Sequence, residues 1–242
     1  MKYRFWIVLL VGIAVSLIVV ALLYTGYLRF NYPSYEDFPV QGIDVSHHQG
    51  DIDWGKVANE NISFAFIKAT EGVDFKDKKF TENWKAAQEM GIAVGAYHFY
   101  RLCKKGHEQA DHFITTVPKY AGALPPVVDL EYGGNCSTDM SQEEIEREIH
   151  DYLLKVGNHY GQLPIIYVTQ EFYNDYLINK LIEYPIWIRD IYNRPSLHGG
   201  RRWVFWQYAN RGHLNGIGTY VDLNAFEGDE IQFSNFLKTG RY

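Results

Sequence analysis

The sequence predicts an α/β fold: an irregular (β/α) barrel, about five β/α units plus three strands, preceded by an N-terminal transmembrane helix. Three observations carry this expectation. Residues 5–24 form an apolar run interrupted only by Gly12 and Ser16. From residue 41 onward, short apolar runs alternate with amphipathic stretches. Eight strand-like runs fit into the roughly 200 residues that follow, which suits a closed barrel better than an open sheet.

The apolar run is long enough, at about 1.5 Å per residue, to cross a hydrocarbon core of ~30 Å. Lys2 and Arg4 precede it and favour a cytoplasmic N-terminus. A cleaved signal peptide is the rival reading. Against it, the run is long, and it ends in Leu22, Leu23, Tyr24 and Tyr27, where a cleavage site wants small residues. Either reading puts the body outside the cytoplasm. Residues 1–30 are thus read as an anchor with a short cytoplasmic tail, 31–40 as a linker punctuated by Pro33 and Pro39, and 41–242 as the barrel domain.

Strands are expected at 42–46, 63–69, 93–100, 126–131, 164–169, 185–191, 203–208 and 220–224, and helices at 54–60, 81–90, 107–117, 141–160 and 171–182. Ser141 and Glu144 read as a capping box, and Gly91 and Gly161 stand where helices end. Alternating strands and helices imply right-handed crossovers and a parallel sheet. No convincing helix separates the last three strands, so the final third of the barrel is expected to be irregular. No wall-binding module is expected after the last strand.

Composition narrows the chemistry. With 47% hydrophobic and 21% charged residues, the chain is neither disordered nor a small disulfide scaffold. Setting aside Lys2, Arg4 and Arg29, the remaining 20 basic residues face 29 acidic ones, a balance of −9 that argues against nucleic acid as a partner. Cys103 and Cys136 are the only cysteines. Both follow predicted strands that should be neighbours, which favours a disulfide over two free thiols.

In such barrels the active site lies at the carboxyl ends of the strands. Four acids are expected there: Asp44, Asp129, Glu131 and Asp222. Asp129 and Glu131 are two apart on one strand, so their side chains share a face at roughly 6.5–7 Å. Ionising one raises the pKa of the other, which separates an acid from a charged partner, as glycosidic cleavage requires. Asp44 and Asp222 become neighbours if the first and eighth strands close the barrel. Lys68, leaving an apolar strand, should pair with a carboxylate, and Asp44 is available. His47-His48 is a candidate metal pair, but no further ligand accompanies it, so a loop role is favoured and neither metal nor cofactor is expected. Aromatic residues near strand ends (Tyr100, Tyr167, Trp187, Trp206, Tyr208) are read as sugar-stacking platforms or as core. His98 is read as a substrate contact or as a core histidine.

At these residues the chain resembles the glycoside hydrolase family 25 lysozymes, or N-acetylmuramidases, over about residues 41–237. The likeness is carried by Gly42-Ile-Asp44-Val-Ser-His-His-Gln49-Gly50, Phe66-Ile-Lys68-Ala-Thr-Glu71-Gly72, Gly95-Ala-Tyr97-His98-Phe99 and Val128-Asp129-Leu-Glu131. Tyr167, Trp187, Trp206-Gln207-Tyr208 and Val221-Asp222-Leu-Asn224 follow in order. The resemblance implies hydrolysis of the β-1,4 bond between N-acetylmuramic acid and N-acetylglucosamine in peptidoglycan glycan strands. It implies Glu131 as general acid, Asp129 assisting the substrate's 2-acetamido group, and Asp44 and Asp222 holding the hydrogen-bond and proton network. The substrate-binding set expected is Lys68, Glu71, Tyr97, His98, Tyr100, Tyr167, Trp187, Trp206 and Gln207. Other readings are a hydrolase of another 2-acetamido sugar polymer such as chitin, or a non-catalytic glycan-binding barrel. Arg189-Asp190-Ile191 departs from the smaller residues of many relatives, and the membrane anchor stands where relatives often carry repeat modules.

Overall fold

The computed structural model describes residues 2–242. Helix α1 (Lys2–Tyr24) is apolar and exposed, and Ser16, midway along it, donates its hydroxyl to Gly12 O at 2.9 Å, so this polar group is satisfied within the helix. The body then runs β1 (Gln41–Val45), α2 (Trp54–Ala58), β2 (Ile62–Glu71), β3 (Phe75–Lys76), α3 (Phe80–Glu89), β4 (Ala93–Phe99) and α4 (Gly106–Thr116). It continues through β5 (Val127–Leu130), α5 (Gln142–Tyr160), β6 (Ile165–Thr169), α6 (Gln170–Tyr176), β7 (Ile186–Arg189), β8 (Phe205–Gly212), β9 (Val221–Phe226) and α7 (Glu230–Thr239).

Eight strands close into a barrel in the order β1-β2-β4-β5-β6-β7-β8-β9, with β9 returning to β1. Ladders from β1 to β8 are parallel, because each connection crosses back to the same end of the barrel, through a helix up to β7 and through the long irregular segment 190–204 between β7 and β8. The expectation of a wholly parallel sheet fails at β9, which is antiparallel to both β8 and β1. The reason is the short connection over residues 213–220, which contains no helix and turns the chain straight back. Two elements were not anticipated. Strand β3 is a two-residue hairpin return on the end of β2. Helix α7, capped by Asp229 and Gln232, buries Phe233 and Phe236 against Phe205 and Phe226, so an apolar plug packs against the barrel interior. Helix α6 stops at Tyr176, short of the expected 182, and the chain leaves it through left-handed Asn179 and Leu181.

Two apolar layers result. One lies between strands and helices and includes Val128, Leu130, Ile166, Ile188 and Tyr152. The other fills the barrel with Phe64, Phe66, Val127, Ile165, Phe205 and Phe226. Phe64 and Phe66 fit there because the facing positions are glycine: a Cβ on Gly42 would lie 2.4 Å from Phe64, and one on Gly95 would lie 2.6 Å from Phe66. Residues 31–40 lie against the body, with Phe38 and Val40 buried.

Candidate active site

Inward-facing residues change character as each strand rises through the barrel. The series are Phe64, Phe66, Lys68 on β2; Val127, Asp129, Glu131 at β5; Ile165, Tyr167, Thr169 on β6; and Phe205, Gln207 on β8. Strand β9 runs the other way, so its order Asp222, Asn224, Phe226 gives the same gradient. Apolar side chains fill the base, and polar ones line a cleft of about 800 Å³ at the carboxyl ends. Asp44, Asp129, Glu131 and Asp222 all line that cleft, with Lys68, Tyr97, Tyr167, Trp187 and Gln207.

A chain of hydrogen bonds fixes the floor. Tyr167 Oη donates to Gln207 Oε1 at 3.0 Å, and Gln207 Nε2 donates to Asp44 Oδ2 at 2.9 Å. Trp187 Nε1 donates to Asn224 Oδ1 at 2.8 Å, and Asn224 Nδ2 donates to the same Asp44 oxygen at 2.7 Å. Trp187 also stacks on Phe66 with ring centroids 4.4 Å apart. Trp187 and Tyr167 are thus rigid parts of the floor, each with its polar atom committed.

Burial dominates the electrostatics. It pushes the Asp44 carboxyl up to about 6, although the two amide donors and the Arg189 guanidinium favour the charged form. Asp129 is raised well above the usual carboxylate range, by burial and then by the charge of Glu131. Its Oδ1 is buried and has no hydrogen-bond partner among the described residues. Glu131, half-buried just past the end of β5, is raised by burial, with Arg189 opposing. Asp222 is raised well above its usual range by burial and by Asp44. The site therefore holds protons that isolated carboxylates would lose, and it can supply one to a bound oxygen.

Several expected contacts lie elsewhere. Lys68 pairs with Glu71 at 2.8 Å and not with Asp44, whose oxygen is already held by amides. Glu71 does not line the cleft and also meets Arg101 at 3.4 Å. His98 is fully buried, its Nδ1 2.7 Å from Thr70 Oγ1 and its Nε2 3.2 Å from Gln109 Oε1, and burial pulls its pKa down to about 3. Tyr100 packs against Tyr152 in the same outer layer. Trp206 packs against Phe38 and Trp203 and donates to Asp190 O at 2.8 Å, while Tyr208 donates to Gln41. Strand parity explains these positions. Odd residues face inward on β4 and at 205–207 of β8, so His98 and Tyr100 face the helices and Trp206 faces outward onto Phe38 and Trp203. His47 is spent on Asp77, which takes its Nδ1 at 2.7 Å and its backbone N–H at 3.0 Å, so it closes a loop.

Sequence reasoning did not assign site roles to Asn224 and Arg189. Asn224 was visible as the inward residue two before Phe226. Arg189 stands two after Trp187, the spacing that keeps a strand residue on the same face. A disulfide joins Cys103 and Cys136 across the loops after β4 and β5. Beside it, Asn135 Nδ2 donates to Tyr100 O and Glu131 O at 2.8 and 2.9 Å, which ties these loops to the backbone of the acid.

Known proteins resemble this chain in sequence and fold. The family profile described as Glycosyl hydrolases family 25 matches residues 43–217. A solved family 25 glycosyl hydrolase from Bacillus anthracis is 42% identical with a TM-score of 0.81, covering 86% of this chain and 97% of that one. Lysozyme M1 of Streptomyces globisporus is 34% identical over 200 residues, 78% of this chain and 68% of the relative. The uncharacterized protein YegX of Escherichia coli K12 is 37% identical over 202 residues, 81% of this chain and 73% of the relative. With the family profile covering most of the barrel and the acids gathered at its mouth, the chain belongs to the glycosyl hydrolases of family 25 and is a lysozyme-type glycoside hydrolase.

Proposed function

We propose that this chain is a membrane-tethered peptidoglycan hydrolase that cleaves the β-1,4 bond between N-acetylmuramic acid and N-acetylglucosamine. The observation that carries the reading is the meeting of Asp44, Asp129, Glu131 and Asp222 in one cleft of a family 25 barrel. Glu131 gives its proton to the glycosidic oxygen as the bond to C1 breaks. Asp129, whose Oδ1 lacks a partner, takes the N–H of the 2-acetamido group and turns its carbonyl oxygen toward C1. That oxygen bonds to C1, and water later displaces it while ionised Glu131 accepts the water's proton. Asp44, held by Gln207 and Asn224, and Asp222 beside it tune the proton balance. Lys68 and Arg189 supply positive charge at the rim. Helix α1 remains attached and holds the barrel at the outer face of the cytoplasmic membrane.

The test is digestion of purified sacculi by the full-length protein, with the new reducing ends reduced and identified by mass spectrometry. Ends on muramic acid are expected. Ends on glucosamine would replace this activity with that of a glucosaminidase. Glycan binding without new ends would make the barrel a binding module.

A further inference from the structure

A second cavity, of about 240 Å³, lies between the end of α1 and the lip of the cleft. The segment after α1 makes it by folding onto the end of β8. Gly26 turns there with φ +75, so close that a Cβ would lie 2.0 Å from Arg211 O. Tyr27 stacks on His213 at 4.5 Å, and His213 Nε2 donates to Thr25 O at 2.8 Å. Arg211 donates to Tyr24 O, and Asn31 Nδ2 donates to Asp190 O at 3.2 Å.

The contents of this cavity are specific. Leu23, Leu28, Phe30 and Ile191 give it apolar walls, and Arg29 and Arg211 line it too, their guanidinium groups resting over the rings of Tyr32 at 4.8 Å and Tyr24 at 4.4 Å. Among the described residues no acidic side chain lines it. Among the described residues Arg29 Nε is buried without an acceptor, a deficit that a ligand oxygen would remove. Height matters as well. At ~1.5 Å per residue α1 is about 34 Å long, slightly more than the ~30 Å hydrocarbon core. Leu23, and the cavity with it, then sits at the level of the outer headgroups. Guanidinium groups grip phosphate oxygens through paired N–H donors.

The geometry points to this cavity as a binding site for the phosphate of a membrane lipid. Arg29 and Arg211 hold the phosphate, and the apolar walls take the glycerol and first acyl carbons. The inference rests on the reading that α1 stays in the chain and spans the bilayer. Ile191, Tyr192 and Asn210 line both this cavity and the cleft, so a bound lipid phosphate and a bound sugar share one wall.

The experiment uses the full chain in a phosphate-free non-ionic detergent, with binding read by native mass spectrometry. The probes are dioctanoyl phosphatidylglycerol, dioctanoylglycerol and inorganic phosphate. The phospholipid is expected to bind at least about tenfold more tightly than either of the others, with that margin lost in Arg29→Gln and in Arg211→Gln, because each removes charge-assisted donors. Arg29→Gln is the cleaner variant, since among the described residues Arg29 makes no side-chain hydrogen bond that could be lost, and its cleavage of soluble glycan fragments should match the parent. Equal binding of dioctanoylglycerol, or undiminished phospholipid binding by Arg29→Gln, overturns the site. Inorganic phosphate binding as tightly as the phospholipid makes it a free-anion site and overturns the lipid assignment. An intact mass showing loss of residues 1–30 overturns the anchor and this site together. None of the results that overturn the site is read through glycan cleavage, so failure of the hydrolase reading is seen separately.

Discussion

Asp44 and Asp222 stand directly opposite each other on the antiparallel β1–β9 ladder, two acids at one cross-strand position. Like charges in that relation repel, and burial adds to the cost of ionising either one. Asp44 is relieved by two amide donors, whereas Asp222 depends on Arg189 and solvent. The fold therefore carries a stability cost at its functional mouth.

Asp44→Asn is expected to stabilise the protein at neutral pH. A carboxyl raised from 3.8 to about 6 keeps its proton in the folded state where the unfolded chain has lost it. Stability is full below about pH 4 and falls as pH rises to about 6, by on the order of 2–3 kcal/mol for this group alone. The asparagine carbonyl can still accept from Gln207 and Asn224. Thermal unfolding of both proteins at pH 4 and pH 7 should show the Tm gain only at pH 7. His98 acts in the opposite direction, since its lowered pKa removes stability as pH falls from 6.5 towards 3, but it is common to both proteins and cancels. An equal gain at both pH values would refute the linkage.

Glu131→Gln keeps the shape of the side chain and removes the proton. Hydrolysis of sacculi should fall by about 10²-fold or more, with Tm little changed. Activity within a few-fold of the parent would remove Glu131 from the role of acid.

Arg189→Gln should move the pH profile upward. The guanidinium favours the ionised forms of Glu131, Asp44 and Asp222, so its loss lets each hold a proton to higher pH. The alkaline limb of kcat/KM, set by deprotonation of Glu131, is expected to rise by about 0.5–1 pH unit. A limb that stays in place, or drops, would show that Arg189 does not act on the acid.

Serine at both Cys103 and Cys136 releases a closure of 33 residues. The chain-entropy account gives a loss of about 3–4 kcal/mol, and a fall in Tm of roughly 6–10 °C for a chain of this size. Dithiothreitol should reproduce the fall in the parent and leave the double variant unmoved. The release also loosens the Asn135 bridge to the backbone of Glu131, so kcat should drop more than KM rises.

Much of this molecule is legible along the chain. The apolar run of α1, the eight barrel strands and the five β/α units follow from local hydrophobic periodicity, which needs no partner to be read. The four acids were also legible, because acids at the polar ends of otherwise apolar strands gather at one mouth of a barrel, and the two-residue spacing of Asp129 and Glu131 keeps both on one face. Tertiary structure alone decided that β9 runs antiparallel, since direction depends on the path of a short loop. It alone decided that Lys68 meets Glu71, because Asp44 had already been taken by amides from two distant strands. The outward fates of His98, Tyr100 and Trp206 lay within reach, as a one-residue difference in parity sends a strand side chain to the other layer. The hydrogen bond from Asn224 to Asp44 and the cavity beside Arg29 lay beyond it, because they join segments more than 150 residues apart, and only packing brings such segments together.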